Sequence, residues 1–237
     1  MGDDRESEPA CLICGGDLVY LDSSEEMECA ICHRKMASNA RCVKGHFVCD
    51  ECHSDPAIGA VRTVCRNSVS KDPIDIFLEI VKDPSVHMHG PEHHVIVGSS
   101  LLTAYRNAGG EIDLDEALGE MSIRGKKVPG GSCGMAGCCG AAVSAGMFYS
   151  IITKTSPLSS VTWGDCNILT SECLAKIGSV GGPRCCKRDS VIAMTAAVGF
   201  VADHLNVRME LPKHYVCSFS ERNAQCIGER CPFHPKG

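Results

Sequence analysis

The sequence has few aromatic residues and no excess of positive charge. Aromatic side chains make up 5% of the 237 residues and only one is tryptophan, so a surface that reads nucleobases by stacking is not expected. The formal net charge is −6, with 23 lysines and arginines against 29 aspartates and glutamates. Proteins that bind nucleic-acid phosphates normally carry a basic excess. We therefore do not expect a protein whose main activity is to bind nucleic acid.

The sequence also lacks a long apolar segment. The acidic, polar stretch from Met1 to Pro9 has neither the basic start nor the apolar run of a secretory signal. The longest apolar run, 191–202, is too short to span a bilayer. We expect a cytoplasmic protein with no membrane association.

The most unusual feature of the composition is its cysteine content, with 18 cysteines in the chain. Such an excess is typical of secreted disulfide scaffolds, metal-binding proteins and redox proteins. Because no secretory signal is seen, we expect a reducing compartment. There, clustered cysteines bind metal or carry out thiol chemistry more often than they form disulfides.

The pattern along the chain changes at about residue 66. Residues 11–65 are dense in cysteine and histidine and short of apolar periodicity, whereas helical patterns dominate from residue 72 onward. We predict a mainly α fold with two parts, a small zinc-ribbon or treble-clef-like module that binds two zinc ions at 1–66 and a helical, cysteine-rich domain at 67–237. The predicted helices begin at Asp72-Pro73 and at Asp113, and cover 91–108, 137–153, 171–179 and 189–205. Small residues in 137–153 favour close contact between helices.

The N-terminal module contains the most specific ligand spacing. Two Cys-x2-Cys pairs are followed by Cys-x3-His-x2-Cys-x2-Cys, and these eight ligands make two tetrahedral zinc sites, either sequential or cross-braced. A fragment of about 60 residues buries little apolar surface, and structural zinc supplies about 10 kcal/mol per site. His33 and His53, each next to a ligand, are expected to face solvent or support a ligand. The eight ligands are Cys11, Cys14, Cys29, Cys32, Cys42, His46, Cys49 and Cys52.

Ten further cysteines lie in the C-terminal domain, in three main patches. A glycine-rich loop at 128–140 leads into a helix, two thiols at 185–186 are flanked by cations, and a third patch covers 217–231. Helix N-termini and nearby cations stabilise thiolates, so Cys139, Cys185 and Cys186 are candidate sulfur-carrying thiols. A thiol relay without metal, and ordinary core packing, are the alternatives to a metal site. We expect one four-thiolate site, an iron–sulfur cluster or a third zinc, drawn from Cys133, Cys139, Cys185, Cys217, Cys226 and Cys231.

Histidines and cations form the last constellation. Four imidazoles and the carboxylate of Glu92 lie within eight residues, which is consistent with metal binding, general-base catalysis or anion binding, or with a polar surface turn. Three cations near 185–186 favour thiolates or attract a phosphate or persulfide. The residues concerned are His87, His89, His93, His94, Arg184, Lys187 and Arg188.

Several motifs together resemble a known family. The motifs are HGPEHH, LLxAYxNAGG, RGKxVPGGxCGxxGxCG, GGPRCCKR and CIGERCPFH, which extend from about 86 to 234. They resemble an uncharacterised cysteine-rich family of archaea and anaerobic bacteria, found with methyltransferases and radical-SAM proteins of a proposed trans-sulfuration system. The chain is also similar to the scaffold component of tRNA-dependent cysteine biosynthesis. Separately, 46–52 resembles the His-x2-Cys-x2-Cys centre of RING and treble-clef domains, which implies a docking surface.

Two functions follow from these observations. The resemblance implies an accessory scaffold that brings a phosphoseryl-tRNA synthetase and a PLP-dependent, sulfur-transferring synthase together, so that the charged tRNA passes between them. Because the chain is acidic, we expect any contact of its own with tRNA to be indirect. The acidic charge and the lack of PLP, SAM and nucleotide motifs favour such an accessory factor over a stand-alone catalyst. The alternative is an iron–sulfur-dependent sulfur carrier or trans-sulfuration enzyme with a persulfide cysteine, which the ten C-terminal thiols favour.

Overall fold

The protein consists of a two-stranded hairpin followed by eight helices, in the part of the chain that the structure describes. The computed structural model covers residues 11–31 and 33–236, with all side chains except those of Glu51 and Ser54. The prediction of a mainly α fold is confirmed. The strands are β1 (Leu18–Glu28) and β2 (Lys35–Cys42), and the helices are α1 (Asp50–Asn67), α2 (Pro73–Ile80), α3 (His93–Asn107), α4 (Leu114–Gly125), α5 (Ser132–Met135), α6 (Gly140–Ile152), α7 (Val161–Val180) and α8 (Cys186–Leu205).

The hairpin has very little core of its own. β1 and β2 pair antiparallel, with Leu18 opposite Cys42 and Glu28 opposite Lys35. The buried apolar residues beneath them are Met27, Cys29, Phe47 and Cys49, half of which are cysteines. Such a small cluster cannot offset the entropy of ordering the hairpin, so the fold of this part depends on bound ligands.

Helix α1 connects the hairpin to the main core. It begins directly after Cys49, and its face of Ala57, Val61 and Cys65 packs in the core of the helical domain. Residues 11–65 are short of apolar periodicity overall, so this helix was not predicted, although these three residues recur at the i, i+4 spacing of a helix. The helix also continues through residue 66, where the boundary between modules was predicted.

The predicted helix starts are confirmed by their caps. Asp72 accepts hydrogen bonds from the backbone N–H groups of Ile74 and Asp75 at the start of α2. Asp113 accepts from Glu116 N at the start of α4. Each carboxylate satisfies backbone donors that have no partner within the helix.

Helices α3 and α6 cross closely at the centre of the domain, as the small residues of α6 predicted. The backbone N–H of Gly98 in α3 donates to Oγ of Ser144 in α6 at 2.9 Å. On the other side of α6, a Cβ at Gly146 would overlap Oγ1 of Thr170 in α7. These contacts require glycine or small residues at the crossings.

Helix α7 is much longer than the predicted 171–179. Its first half carries the exposed side chains of Val161, Trp163 and Ile168 and lacks an apolar stripe, so periodicity did not reveal it. Only Leu169 and Cys173 of this helix are buried. Within the described residues, no helix is both long enough and apolar enough to cross a membrane.

Candidate metal centres

The first candidate centre lies at the open end of the hairpin. It consists of Cys11, Cys14, Cys42 and His46, whose ligand atoms all lie within 4.8 Å of one another. Nδ1 of His46 is 3.3 Å from Sγ of Cys14, 3.5 Å from Sγ of Cys42 and 3.9 Å from Sγ of Cys11. A tetrahedral zinc ion with ordinary Zn–S and Zn–N bonds separates such atoms by about 3.6 Å. The four groups therefore fit one metal ion.

The environment of Cys42 favours its thiolate, which is the form that binds metal. Burial acts to raise the pKa of Cys42, but hydrogen bonds from the backbone N–H groups of His46 and Lys44 and from the neighbouring thiols lower it to about 6. The N–H of His46 lies 3.3 Å from the sulfur. Part of the thiolate charge is thus stabilised before a metal binds.

The second candidate centre lies beneath the hairpin. Cys29, Cys49 and Cys52 place their sulfur atoms within 4.8 Å of one another, and the backbone N–H of Cys49 donates to Sγ of Cys29. Cys32, which the spacing predicts as the fourth ligand, lies outside the described residues. The first and third ligand pairs of the chain form one centre, and Cys29 joins the fourth pair in the other. Among the described residues the arrangement is cross-braced, which is one of the two alternatives that the spacing left open.

A third group of cysteines surrounds a small apolar cavity in the C-terminal domain, which we call the four-cysteine cavity. Its thiols are Cys185, Cys217, Cys226 and Cys231, and its walls include Tyr215, Phe219 and Phe233. Cys185 is the N-cap of α8, and the other three belong to the last segment of the chain. The backbone bond from Cys217 N to Phe233 O (2.7 Å) closes that segment around the cavity.

Hydrogen-bond donors point at three of these four sulfur atoms. Phe219 N donates to Cys217 and Gly228 N to Cys226, both at 3.4 Å. Arg188 N and the Asn223 amide donate to Cys185, both at 3.5 Å. Donors directed at sulfur are typical of cysteines that bind a metal as thiolates, because they stabilise the negative charge.

The four sulfurs are arranged differently from the two N-terminal centres. Among the described residues, these four sulfur atoms do not form a group whose members all lie within 4.8 Å of one another, unlike the ligand atoms of the two N-terminal centres. One tetrahedral zinc ion holds sulfur ligands about 3.8 Å apart. The hydroxyl of Tyr215 is buried at this cavity without a hydrogen-bond partner among the described residues. A bound cluster would supply the acceptor that this hydroxyl lacks.

Two of the six predicted cluster ligands lie elsewhere. Cys133 lines a second, larger cavity of about 520 Å³ between the hairpin and the helical domain, which we call the large cavity. Cys139 is the N-cap of α6, and its Sγ lies 3.9 Å from Oδ2 of Asp189. Neither residue lines the four-cysteine cavity, whereas Cys186 lines the large cavity.

The candidate sulfur-carrying thiols are less acidic than their positions imply. Burial and the charge of Asp189 raise the pKa of Cys139 to about 11, although N–H groups at the start of α6 act to lower it. Burial raises the pKa of Cys186 to about 12 against the charge of Arg184, and burial also raises the pKa of Cys185. The expected stabilisation by helix ends and cations is present, but desolvation is larger.

Two of the three predicted cations point into the protein. Nζ of Lys187 donates to the carbonyl of His87 at 2.7 Å and lies 3.0 Å from Nε2 of His93. Arg188 donates to Asp189 and to the Gly181 and Pro183 carbonyls. Only Arg184 lines the large cavity, where its guanidinium lies over the ring of Tyr20. An anion entering that cavity meets Arg184 alone of the three.

Three of the four clustered histidines have fixed structural roles. His89 donates from Nε2 to Asn223 and accepts from Cys186 N, and burial lowers its pKa to about 4. His93 donates from Nδ1 to Gly90 O, and His94 donates from Nδ1 to Val128 O. His87 differs, because its buried Nδ1 has no hydrogen-bond partner among the described residues.

Sequence reasoning missed Asn223 and noted Glu92 without assigning it a role of its own. Asn223 contacts both His89 and Cys185, but an isolated asparagine in a loop gives no pattern that identifies it. Glu92 is fully buried beside His53 and His87, and its place within HGPEHH was the available signal. His33 is exposed and contacts Glu28, whereas His53 is turned toward Glu92.

Comparisons with known proteins identify a family without an assigned activity. Neither the curated proteins nor the solved structures contain a match to this chain. The DUF5714 family, described as a family of unknown function, matches residues 61–234. This range contains α2 to α8 and the four-cysteine cavity, and it omits the hairpin with its two centres. Because the match covers more than half of the chain, the protein belongs to the DUF5714 family.

Proposed function

We propose that the protein is an iron–sulfur accessory factor of sulfur transfer, in which Cys185, Cys217, Cys226 and Cys231 hold the cluster. One observation carries this proposal. Cysteines from two distant segments converge on one apolar cavity, with hydrogen-bond donors directed at three of their sulfurs.

The chemistry of the donor set supports a cluster over a single zinc ion. Four thiolates are the usual ligands of iron–sulfur clusters, and hydrogen bonds to the sulfurs set the reduction potential. The aromatic wall of Tyr215, Phe219 and Phe233 limits access of water. A bound cluster would supply electrons or sulfide, and the protein's own residues would hold and shield it.

The two N-terminal centres serve a different purpose in this proposal. We assign zinc to both, because their ligand atoms match the tetrahedral geometry of one ion each and the hairpin has little apolar core. The cross-braced arrangement is that of treble-clef and RING-like modules. Such modules bind other macromolecules, so the zinc module acts as a docking surface.

Serine substitutions test the cluster site. Cys226→Ser, purified without oxygen, should lose most iron and acid-labile sulfide, because serine is a poor iron ligand. Cys166→Ser is the matched control, since Cys166 is half-buried in α7 near hydroxyl groups and does not line the cavity. Wild-type iron content in Cys226→Ser would exclude this residue as a ligand and the four-cysteine site with it.

A scaffold that joins a phosphoseryl-tRNA synthetase to a sulfur-transferring synthase is the second candidate. The observation that favours it is a group of exposed apolar side chains on the zinc module. An acidic protein with such a surface is better suited to protein partners than to nucleic acid. The exposed residues are Leu12, Ile13, Leu18, Tyr20, Ile31 and Val43.

A charge substitution on the zinc module tests the scaffold. Val43→Glu should weaken binding of either purified enzyme at least tenfold, because it places a charge among the exposed apolar side chains of the zinc module. Val69→Glu is the control, because Val69 is equally apolar and 88% exposed but lies outside the zinc module. Equal binding by both variants, or no binding of either enzyme to the wild type, would overturn the scaffold function.

A further inference from the structure

His53, His87 and Glu92 form a third type of cluster, which contains no cysteine. One ligand atom from each lies within 4.8 Å of the other two. His53 comes from the first turns of α1, next to the zinc module, and the other two come from the loop before α3. The cluster therefore joins the two parts of the protein.

The buried carboxylate of Glu92 lacks a complete set of partners. Its side chain is fully buried, and Oε1 accepts a hydrogen bond from the backbone N–H of His87 at 3.0 Å. Oε2 lies 3.3 Å from Nδ1 of His53, but neither atom has a partner of hydrogen-bond geometry among the described residues. Nδ1 of His87 is in the same situation, 3.5 Å from Oε1. A buried charge without adequate partners is costly.

Two positively charged imidazoles would not remove the cost of burying the Glu92 carboxylate. The rings of His53 and His87 are 4.3 Å apart between centroids, so two imidazolium ions would repel each other at close range. The Nδ1 atoms of the two histidines face the carboxylate oxygens of Glu92 without N–H bonds aligned to them. Ligands around a common ion are arranged in this way. Ligands of a tetrahedral ion with bonds of about 2.0–2.1 Å are separated by about 3.3 Å, close to the observed distances.

The loop is built to hold the carboxylate in this place. A Cβ at Gly90 would overlap the Glu92 carboxylate, so only glycine leaves the space that it occupies. The remaining histidines of the segment are engaged in other hydrogen bonds, which leaves His87 as the one of the four directed at Glu92 with an unused ring nitrogen.

We propose that His53, His87 and Glu92 bind one divalent transition-metal ion, Zn²⁺ or Fe²⁺, through two neutral imidazoles and one carboxylate. Two histidines and a carboxylate are the protein ligands of many catalytic zinc and non-haem iron sites, which keep further positions for water or substrate. His53 also lines the large cavity, so the ion would lie beside that cavity. This site is separate from the sulfur centres and does not depend on the proposed cluster.

Metal content of single variants tests the site. Full-length wild type and His87→Gln are incubated without oxygen with Zn²⁺ or, in a second arm, with Fe²⁺, freed of unbound metal and analysed for zinc, iron and sulfide. The wild type should retain one more equivalent of the added metal than His87→Gln, with equal sulfide in both. The arm that shows the difference identifies the ion.

Further variants keep the result interpretable. His214→Gln, which replaces an exposed histidine, should match the wild type. Glu92→Gln should lose the same equivalent as His87→Gln, and added metal should raise the melting temperature of the wild type but not of these two variants. The difference should persist in a Cys226→Ser background, so a failure of the cluster proposal would leave it intact. Equal metal content in wild type and His87→Gln, or a lowered melting temperature with no loss of metal, would overturn the site in favour of simple ion pairs.

Discussion

The side-chain amide of Asn223 donates a hydrogen bond to Sγ of Cys185 at 3.5 Å, from 38 residues further along the chain. The oxygen of the same amide accepts from Nε2 of His89 at 3.1 Å. One buried asparagine thus connects the histidine-rich segment before α3 to the four-cysteine cavity. Its amide donor is placed to tune the electrostatics of whatever Cys185 binds.

Removal of that donor should shift the potential of the cluster. Asn223→Asp keeps the oxygen that faces His89 but replaces the amide donor by a negatively charged group beside Cys185. Both changes favour the oxidised cluster, so we expect a reduction potential more negative by roughly tens of millivolts. Gln225→Glu is the control, because it adds the same charge at an exposed position two residues away. An unchanged potential in Asn223→Asp would separate this contact from the cluster.

Loss of a zinc ligand should unfold the hairpin and spare the helical core. Cys29→Ser removes one ligand of the second centre, and zinc contributes about 10 kcal/mol to the folding of such a site. The core around α3 and α6 has its own buried apolar residues and should keep its helical circular dichroism. Cys138→Ser, in the loop after α5, is the control. Normal zinc content together with a hairpin that resists proteolysis would contradict the assignment.

Cys139 should react slowly at neutral pH in the metal-free protein. Its pKa is raised to about 11, by burial first and then by the charge of Asp189. The thiolate fraction at pH 7 is then about one in ten thousand and rises tenfold per pH unit up to the pKa. Alkylation followed by peptide mass spectrometry should show this slope. Asp189→Asn removes the negative charge and should speed the reaction, whereas a rate like that of free cysteine at pH 7 would show that the site is not desolvated.

Two glycines of α4 should respond in opposite directions to alanine. A Cβ at Gly125 would lie 2.6 Å from Cγ2 of Val95 and 2.9 Å from the carbonyl oxygen of His94, so Gly125→Ala should cost about 1–3 kcal/mol. A Cβ at Gly119 meets nothing within 4 Å, so Gly119→Ala should stabilise the helix by about 0.5–1 kcal/mol. Chemical denaturation measures both. Equal effects would contradict the packing of α4 on α3.

Local signals in the sequence were reliable where the structure depends on local chemistry. The caps at Asp72 and Asp113 were predicted because a side chain and its backbone donors lie within three residues. Helix α1 was overlooked, since it begins among the zinc ligands and the cysteines dominated the pattern. The N-terminal ligand spacing predicted the metal clusters but could not decide their pairing, which depends on how the hairpin folds back.

The C-terminal site illustrates the limit of spacing arguments. Six cysteines were candidates, and four of them surround one cavity. Cys133 and Cys139 were indistinguishable from the others in sequence, because only the packing of α5 and α6 places them elsewhere. The same holds for His53, whose orientation toward Glu92 depends on the angle at which α1 meets the loop before α3.

The most direct measurement of the central claim is the iron and acid-labile sulfide content of the wild-type protein purified without oxygen, together with its visible spectrum. The account predicts a brown protein whose cluster contains iron and sulfide in equal amounts, in addition to two equivalents of zinc and any zinc or iron held by His53, His87 and Glu92. A colourless protein that contains zinc and no sulfide would contradict it.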